Sequence, residues 1–248
     1  CNSGSVMTQA TGFAYEVVVV MDQKDWKGPA GEAIKSELAS SVPGLPQAEP
    51  SLKITYVQPK DFTGLLRYVR NILVVTIDPT AYTKVSVGYE NNVWARGQVV
   101  VSLKAPNTES IVEYSKTHEK ALVDFFVKVE MNRAIEQLQK EYSMVVMDNL
   151  KSDLNVMLNA PANFTYYKDT TDFFWSSNNA NTGRMDLIVY TFPYTDPNTF
   201  TEEYLVAKRD SVLKANLPGS FPGSYMQTET RAGVEYTPIT LNGKYCGV

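Results

Sequence analysis

The chain has 248 residues, of which 44% are hydrophobic and 20% charged, a composition typical of a globular protein that can bury its own core. Its 23 basic and 27 acidic residues leave a net charge of −4, which argues against nucleic acid as a partner. One histidine and two cysteines exclude a zinc finger, a multi-histidine metal site and a disulfide scaffold, so we expect no metal and no cofactor.

The chain starts at Cys1, and residues 2–12 are small, polar and uncharged. We expect Cys1 to be the acylated residue of a bacterial lipoprotein and residues 1–12 to form a flexible tether. The alternative is that a cysteine stands at this position by chance. No apolar run reaches the roughly 18 residues that span a bilayer, so acyl chains would be the link to the membrane. Cys246 then lacks a disulfide partner, and we expect a buried, unreactive thiol there.

Residues 13–106 are predicted to form an N-terminal α+β unit. The β-branched runs at residues 15–21, 72–77 and 99–103 predict central strands that are covered on both faces. Residues 52–57 alternate and predict a strand nearer the edge, and Pro29 begins a predicted helix over residues 29–39. A hairpin is predicted from residues 84–89 through the turn at Asn91 and Asn92 to the segment from Trp94 onward.

Residues 107–160 contain no glycine and no proline, and they predict either one long helix or two helices with a break near Asn132. His118 falls on the apolar face of this pattern, where a hydrogen-bonded core residue is the usual outcome. Residues 161–248 are predicted to form a C-terminal α+β unit that continues beyond the given chain. Its helix is expected over residues 199–216, with Thr199 as the cap. Strands are expected at residues 164–167, 173–176, 185–192, 225–230 and 236–241. The fold class is therefore α+β, with mixed, largely antiparallel sheets, covering helices and a long central helix or helix pair.

Two predicted strands of the first unit are each followed by an aspartate, Asp22 and Asp78. If these strands are parallel neighbours, both carboxylates lie at one sheet edge, where they could bind a metal or act as acid and base. The structural alternative, which we favour, is that both aspartates form turns, since Asp78 precedes a proline.

Arginine and aromatic residues occur together in two segments that flank apolar strands, and the two segments could meet in space. Guanidinium groups bind carboxylates or phosphates at two points, and aromatic faces accept sugars or cations. The structural alternative is an ion pair beside a tryptophan packed at the rim of the sheet. The candidate ligand-binding residues are Arg67, Arg70, Trp94 and Arg96.

The second half of the chain offers three further candidates, Tyr194, Asp196 and Arg209. Tyr194 belongs to an aromatic-rich stretch that could line a groove for a peptide or a carbohydrate, although such residues more often pack in a core. Arg209 falls within the apolar stripe of its predicted helix, where a cation needs partners. It either faces a cleft and binds an anion or pins the helix to a loop through an internal salt bridge.

Several motifs together resemble the domain-of-unknown-function 4837 family of Bacteroidetes envelope lipoproteins over nearly all of residues 14–246. These motifs are found at residues 42–47, 62–73, 93–96, 193–196, 199–201, 204–213 and 223–226. The resemblance implies a lipid anchor at Cys1 and a longer full-length protein, and it implies no activity and no catalytic residue. The absence of an acidic run after Cys1 favours an outer-membrane anchor that faces the periplasm over one that faces the cell surface.

The sequence predicts a cell-envelope lipoprotein that binds a ligand or a protein without catalysis. Its expected partners are the membrane, through the acyl chains, and an envelope protein, peptide or glycan. One alternative is a hydrolase of cell-wall or glycan substrates that uses paired carboxylates such as Asp22, Asp78 or Asp196. A structural envelope scaffold, suggested by the long helical segment, is the other.

Overall fold

A computed structural model describes residues 7–45, 47–231, 233–234, 236–241 and 244–247, with the backbone alone described from residue 238 onward. The chain divides into two compact units, and the boundary between them follows Arg133. Helices and strands are both abundant and the sheets are mixed or antiparallel, so the predicted α+β fold class is confirmed.

The first unit is built on a five-stranded sheet in the order β2-β1-β3-β5-β4. Its strands are β1 (Glu16–Val20), β2 (Lys53–Val57), β3 (Asn71–Ile77), β4 (Ser86–Asn91) and β5 (Val99–Ala105). Strands β2, β1, β3 and β5 are parallel, and β4 runs antiparallel to β5 at the edge. The apolar runs thus form the central strands, as predicted. The hairpin partner of β4 is β5, so its return strand begins at Val99 and not at Trp94.

Both faces of this sheet are covered. One face packs against α2 (Pro29–Leu38), α3 (Thr108–Thr117) and α4 (Ala121–Lys140), and Ile34, Ile111 and Phe126 are fully buried there. The other face is covered by 3-10 turns and loops, through Phe62 and Trp94. The short helix α1 (Gln23–Trp26) approaches α2 so closely that a Cβ on Gly31 would lie 2.1 Å from the carbonyl oxygen of Trp26. Only glycine fits at that position.

The glycine-free segment forms three helices and not one or two. Helix α3 ends at Thr117, α4 begins at Ala121, and α5 (Met144–Leu154) follows α4 after a second short break. The predicted break near Asn132 is wrong, because α4 continues through it. Polar caps decide where α3 and α5 begin, since the side chains of Asn107 and Ser143 accept hydrogen bonds from backbone amides of the first turns.

His118 lies in the first of these breaks and is exposed, so its expected place in the core is wrong. Its ring stacks on Tyr114 with ring centroids 4.3 Å apart, and its Nδ1 lies 2.9 Å from the Thr117 hydroxyl oxygen. Lys120 then adopts a positive φ of 65° immediately before α4 begins.

The second unit contains a three-stranded antiparallel sheet of β6 (Tyr166–Thr170), β7 (Phe173–Ser177) and β8 (Asp186–Tyr190). Phe174 of β7 packs with Val146 and Leu150 of α5. Helix α6 (Glu202–Asn216) follows, and β9 (Pro238–Leu241) pairs with β10 (Lys244–Gly247).

Two expectations for the second unit are corrected. The cap of α6 is Thr201, whose hydroxyl accepts from the Tyr204 amide, whereas Thr199 is buried and donates its hydroxyl to the Asp196 carbonyl at 2.6 Å. The predicted strand over residues 225–230 does not form. Its first residue makes only an isolated bridge with Pro218.

Part of the segment predicted as a tether is held by hydrogen bonds within the first unit. The Ala10 amide donates to the Arg96 carbonyl at 2.9 Å, and the Arg96 amide donates to the Thr8 carbonyl at 2.8 Å. Thr11 bridges the chain at Val69 in the same parallel manner. The prediction of a flexible tether is therefore wrong for residues 8–11, because their backbone groups are hydrogen-bonded to the first unit. The composition of the segment has no regular pattern from which these bonds could be predicted.

Candidate functional site

The predicted arginine–aromatic residues of the first unit meet at the amino ends of β3 and β5. The register pairs Asn71 with Val99, which places the segments before both strands side by side. The guanidinium carbon of Arg67 lies 5.9 Å from the Trp94 ring centroid and 6.0 Å from that of Phe62. Its Nε donates to the Phe62 carbonyl at 3.1 Å. Arg67 therefore stacks on a packed aromatic pair while the residue stays exposed.

Arg70 belongs to an internal network that the sequence did not predict. Its Nη2 donates to Glu130 at 2.7 Å, and the Glu130 side chain is only 1% exposed. The other carboxylate oxygen accepts from Arg133 at 2.6 Å and from Asn71 at 2.7 Å. A buried carboxylate requires such partners. Arg70 therefore joins α4 to the sheet, and its charge is paired with Glu130 inside the molecule. The sequence signal was the pair Glu130 and Arg133, three residues apart on one helix.

Arg96 and the neighbouring Gln98 also hold the local backbone. Arg96 is exposed, and its Nε donates to the side chain of Gln9 at 3.1 Å. Gln98 is buried, donates to the carbonyls of Arg67 and Val69 at 2.7 and 2.6 Å, and accepts from the Trp94 amide. Hydrogen bonds therefore hold the segments at this end of the sheet together. This agrees with the structural alternative for the two segments, in which they stabilise the rim of the sheet.

Of the two roles that the sequence leaves open for Arg209, the contacts in the second unit match the structural one. Its Nη1 donates to the Thr228 hydroxyl at 2.8 Å and lies 3.2 Å from Asp210. Asp210 in turn accepts from the amide and the hydroxyl of Thr228. Burial opposes ionisation of Asp210, but the hydrogen bonds from Thr228 and the Arg209 charge outweigh it and lower the pKa of this carboxyl. These contacts pin α6 to the loop at Thr228.

Tyr194 and Asp196 lie in the loop before α6. Tyr194 is 66% exposed, and its ring centroid is 5.6 Å from that of Phe200. The Asp196 carboxylate accepts from the Asn198 amide at 2.8 Å, which is the bond of an Asx turn. Tyr194 thus remains available to a partner, whereas Asp196 shapes its own loop.

Asp22 and Asp78 follow the parallel neighbours β1 and β3, so both stand at the carboxyl edge of the sheet, as predicted. The carboxylate of Asp78 accepts from the hydroxyl and amide of Thr80 and from the amide of Ala81. The hydroxyl and amide of Thr80 lower the pKa of Asp78. Asp78 is therefore a turn former, which agrees with the structural alternative.

A carboxyl pair that the sequence did not indicate joins α5 to β6. Burial raises the pKa of Asp169, with a further contribution from the neighbouring Asp153 carboxyl, and the Ser152 hydroxyl lowers the pKa of Asp153. Asp169 therefore ionises less readily than a free aspartate.

Glu37 is a second buried carboxylate that sequence reasoning missed. It is 9% exposed, and its Oε1 accepts from the Leu122 amide at 2.7 Å, which caps the first turn of α4. Among the described residues, its Oε2 has no hydrogen-bond partner. Burial raises the pKa of Glu37 despite the Leu122 amide.

The first unit carries an apolar groove beside its edge strand, which we call the β4 groove. Val87 and Tyr89 of β4 form one wall, and Phe125 of α4 packs on Tyr89 with ring centroids 5.1 Å apart. Tyr114 of α3 and Leu122 of α4 complete this cavity of about 110 Å³. No sequence motif predicts the groove, because its walls come from four separate elements: β4, β5, α3 and α4.

The β4 groove continues into a wider and more polar depression of about 520 Å³. Tyr114 lines both parts, and the second part adds Val85 together with Glu109 and Glu113 of α3. Tyr89 is 59% exposed and Val87 42% exposed, so apolar surface at the groove faces solvent. Exposed apolar surface of this kind marks binding sites.

The described residues show neither a metal-binding cluster nor a membrane-spanning helix. In these ranges no cluster of three or more histidine, cysteine, aspartate or glutamate side chains could hold a metal ion. Nor does any helix among them combine the length and the apolar character that crossing a bilayer requires. Cys1 and the side chain of Cys246 lie outside what the structure describes.

Residues 10–139 match a family model described as Domain of unknown function (DUF8532). Residues 143–248 match a second model, Domain of unknown function (DUF4837). The predicted resemblance to the DUF4837 family is thereby supported for the second half of the chain, while the motifs quoted from the first half lie within the DUF8532 match. No curated protein matches the chain, and no solved structure does.

Proposed function

The chain belongs to the family described as Domain of unknown function (DUF8532), and we propose that this member is a cell-envelope lipoprotein that binds a ligand or a protein partner without catalysis. The β4 groove is the observation that carries the binding role. Its walls are apolar and aromatic, and Tyr89 and Val87 face solvent. The candidate arginines fit this role less well, since Arg70 and Arg209 make internal contacts.

The envelope location rests on the resemblance to envelope lipoproteins, and Cys1 is the residue that would carry the acyl chains. Mass spectrometry of the protein from its native membrane tests this directly. We expect an acylated Cys1, and Cys1→Ser should release the protein from the outer-membrane fraction. An unmodified Cys1, or an unchanged distribution of the variant, would contradict the lipoprotein assignment.

A neutral fluorescent probe, N-phenyl-1-naphthylamine, tests the β4 groove. We expect saturable binding to the native chain and at least about tenfold weaker binding to Tyr89→Ala, because the variant removes one aromatic wall. Phe13→Ala is the matched control, since Phe13 is a 76% exposed aromatic residue of the same unit and does not line the groove. Equal binding to all three proteins would refute the β4 groove as the binding surface.

The hydrolase alternative gains no support from its named residues. Asp78 and Asp196 each accept backbone hydrogen bonds within their own turns, and they belong to different units, with Asp22 in the same unit as Asp78. The scaffold alternative stays a prediction.

A further inference from the structure

The outer edge of β4 exposes apolar side chains and backbone groups together. β4 is the edge strand of the sheet, and each of its six residues is exposed. A strand edge with unpaired N–H and C=O groups is a template for a further strand, and proteins usually protect it with charges, proline or a cover. β4 carries only Glu90 as a charge and has no proline. The strand is therefore suited to pairing.

We propose that β4 pairs with the β4 of a second copy of this chain, antiparallel, about a two-fold axis at Gly88. The two sheets then join into one sheet of ten strands. The inference rests on the proposed function, because the second copy would extend the same β4 groove across the axis. An isologous contact of this kind closes on itself and forms a discrete dimer.

The hydrogen-bond pattern of the hairpin fixes which backbone groups are available. The Asn92 amide donates to the Gln98 carbonyl in continuation of the β4–β5 register. Because these bonds alternate along an antiparallel strand, Gly88 and the other even-numbered residues of β4 turn their N–H and C=O toward β5. Val87 and Tyr89 therefore turn theirs outward. An axis at Gly88 places Val87 opposite Tyr89 of the second copy, so outward-facing groups meet.

The side chains of this register are also complementary. Val87 and Tyr89 are on the groove face, and the axis at Gly88 makes two β-branched–aromatic cross-strand pairs there. Glu90 falls opposite Ser86 of the second copy, so no like charges are opposed. Lys84, just before β4, lies diagonal to Glu90 of the second copy, and symmetry makes this attraction twice. An axis at Tyr89 would remove both the Val87–Tyr89 cross-strand pairs and the diagonal attraction between Lys84 and Glu90.

Disulfide trapping tests the register, in a background in which Cys1 and Cys246 are serine. In the proposed dimer the two Gly88 residues form a non-hydrogen-bonded pair with Cα atoms about 4.5 Å apart, within disulfide range. A Cβ on Gly88 meets nothing within 4 Å, so Gly88→Cys fits the folded chain. Ser86→Cys is the matched control, because its two copies would lie about 14 Å apart in this register.

We expect Gly88→Cys to form a cross-linked dimer at least about tenfold faster than Ser86→Cys. Adding Val87→Asp to Gly88→Cys should abolish the difference, because it sets a carboxylate against the negative ring face of Tyr89 of the second copy. Val87 is 42% exposed, so the fold tolerates the aspartate. Equal rates for the two cysteine variants, or a fast rate that survives Val87→Asp, would overturn the pairing. Saturable probe binding together with equal cross-linking rates for the two cysteine variants would refute self-pairing while leaving the β4 groove as a binding surface.

Discussion

Replacing Glu130 with glutamine should destabilise the first unit strongly. The side chain of Glu130 is 1% exposed and meets Arg70 and Arg133 at 2.7 and 2.6 Å. The two guanidinium groups are themselves mostly buried, with side-chain exposures of 25% and 19%. Glutamine keeps the shape but removes the anion, and its amide N–H groups oppose N–H donors. Breaking a buried ion pair on one side costs about 3 to 5 kcal/mol.

Urea unfolding followed by tryptophan fluorescence measures this loss. In a Trp175→Phe background the signal comes from Trp26 and Trp94, which both lie in the first unit. With a urea dependence of about 2 kcal/mol/M, a loss of about 3 kcal/mol lowers the midpoint by about 1.5 M. The loss should persist in high salt, because buried charges are little screened.

The matched control is Glu32→Gln in α2, which removes an exposed partner of Lys35 at 2.7 Å. An exposed pair of this kind contributes less than about 0.5 kcal/mol and weakens with salt. If Glu130→Gln cost no more than Glu32→Gln, or if its cost disappeared in salt, this buried network would not be what joins α4 to the sheet.

Three further outcomes follow from particular contacts. The pKa of Glu37 is raised in the folded chain, so the stability linked to its protonation is full below the ordinary value of 4.5 and is lost as the pH rises through the folded pKa. Glu37→Gln should therefore be at least as stable as the native chain at about pH 7, and a urea midpoint that falls more at about pH 7 than at pH 4 would contradict this. Asp153→Asn should lower the pKa of Asp169 in a carbon-13 NMR titration, because burial then acts without the neighbouring carboxyl; an unchanged titration would show that the two do not interact. Asn107→Ala should cost about 1 kcal/mol in urea unfolding, since it removes the cap of α3, and no loss would refute that role.

The sequence determined the local elements whose patterns were strong. The β-branched runs that became β1, β3 and β5 were predicted because such residues fit a strand that is covered on both faces. The helix begun by Pro29 and the edge position of β2 were likewise readable from chemistry close in the chain.

Breaks and caps were less accessible to pattern alone. The helical period runs through residues 107–160 almost without interruption, and the structure breaks it at His118 and again before Ser143. The sequence does not distinguish Asn107 and Ser143 from other polar residues. They are caps because their side chains accept hydrogen bonds from first-turn amides in the folded chain. The choice of Thr201 over Thr199 as a cap likewise depended on the turn that Asp196 forms.

The roles of the charged and aromatic residues were decided by the tertiary structure. The sequence brought Arg67, Arg70, Trp94 and Arg96 to notice, and the parallel register of β3 and β5 places them at one end of the sheet. Glu130, about sixty positions further along the chain, then takes up the charge of Arg70. The β4 groove likewise needs β4, α3 and α4 in contact. Periodicity in the sequence indicates which residues one element buries. It does not indicate which distant residues will pair, since they meet only in the folded chain. Burial there makes an unpaired charge costly, so each buried charge needs a partner.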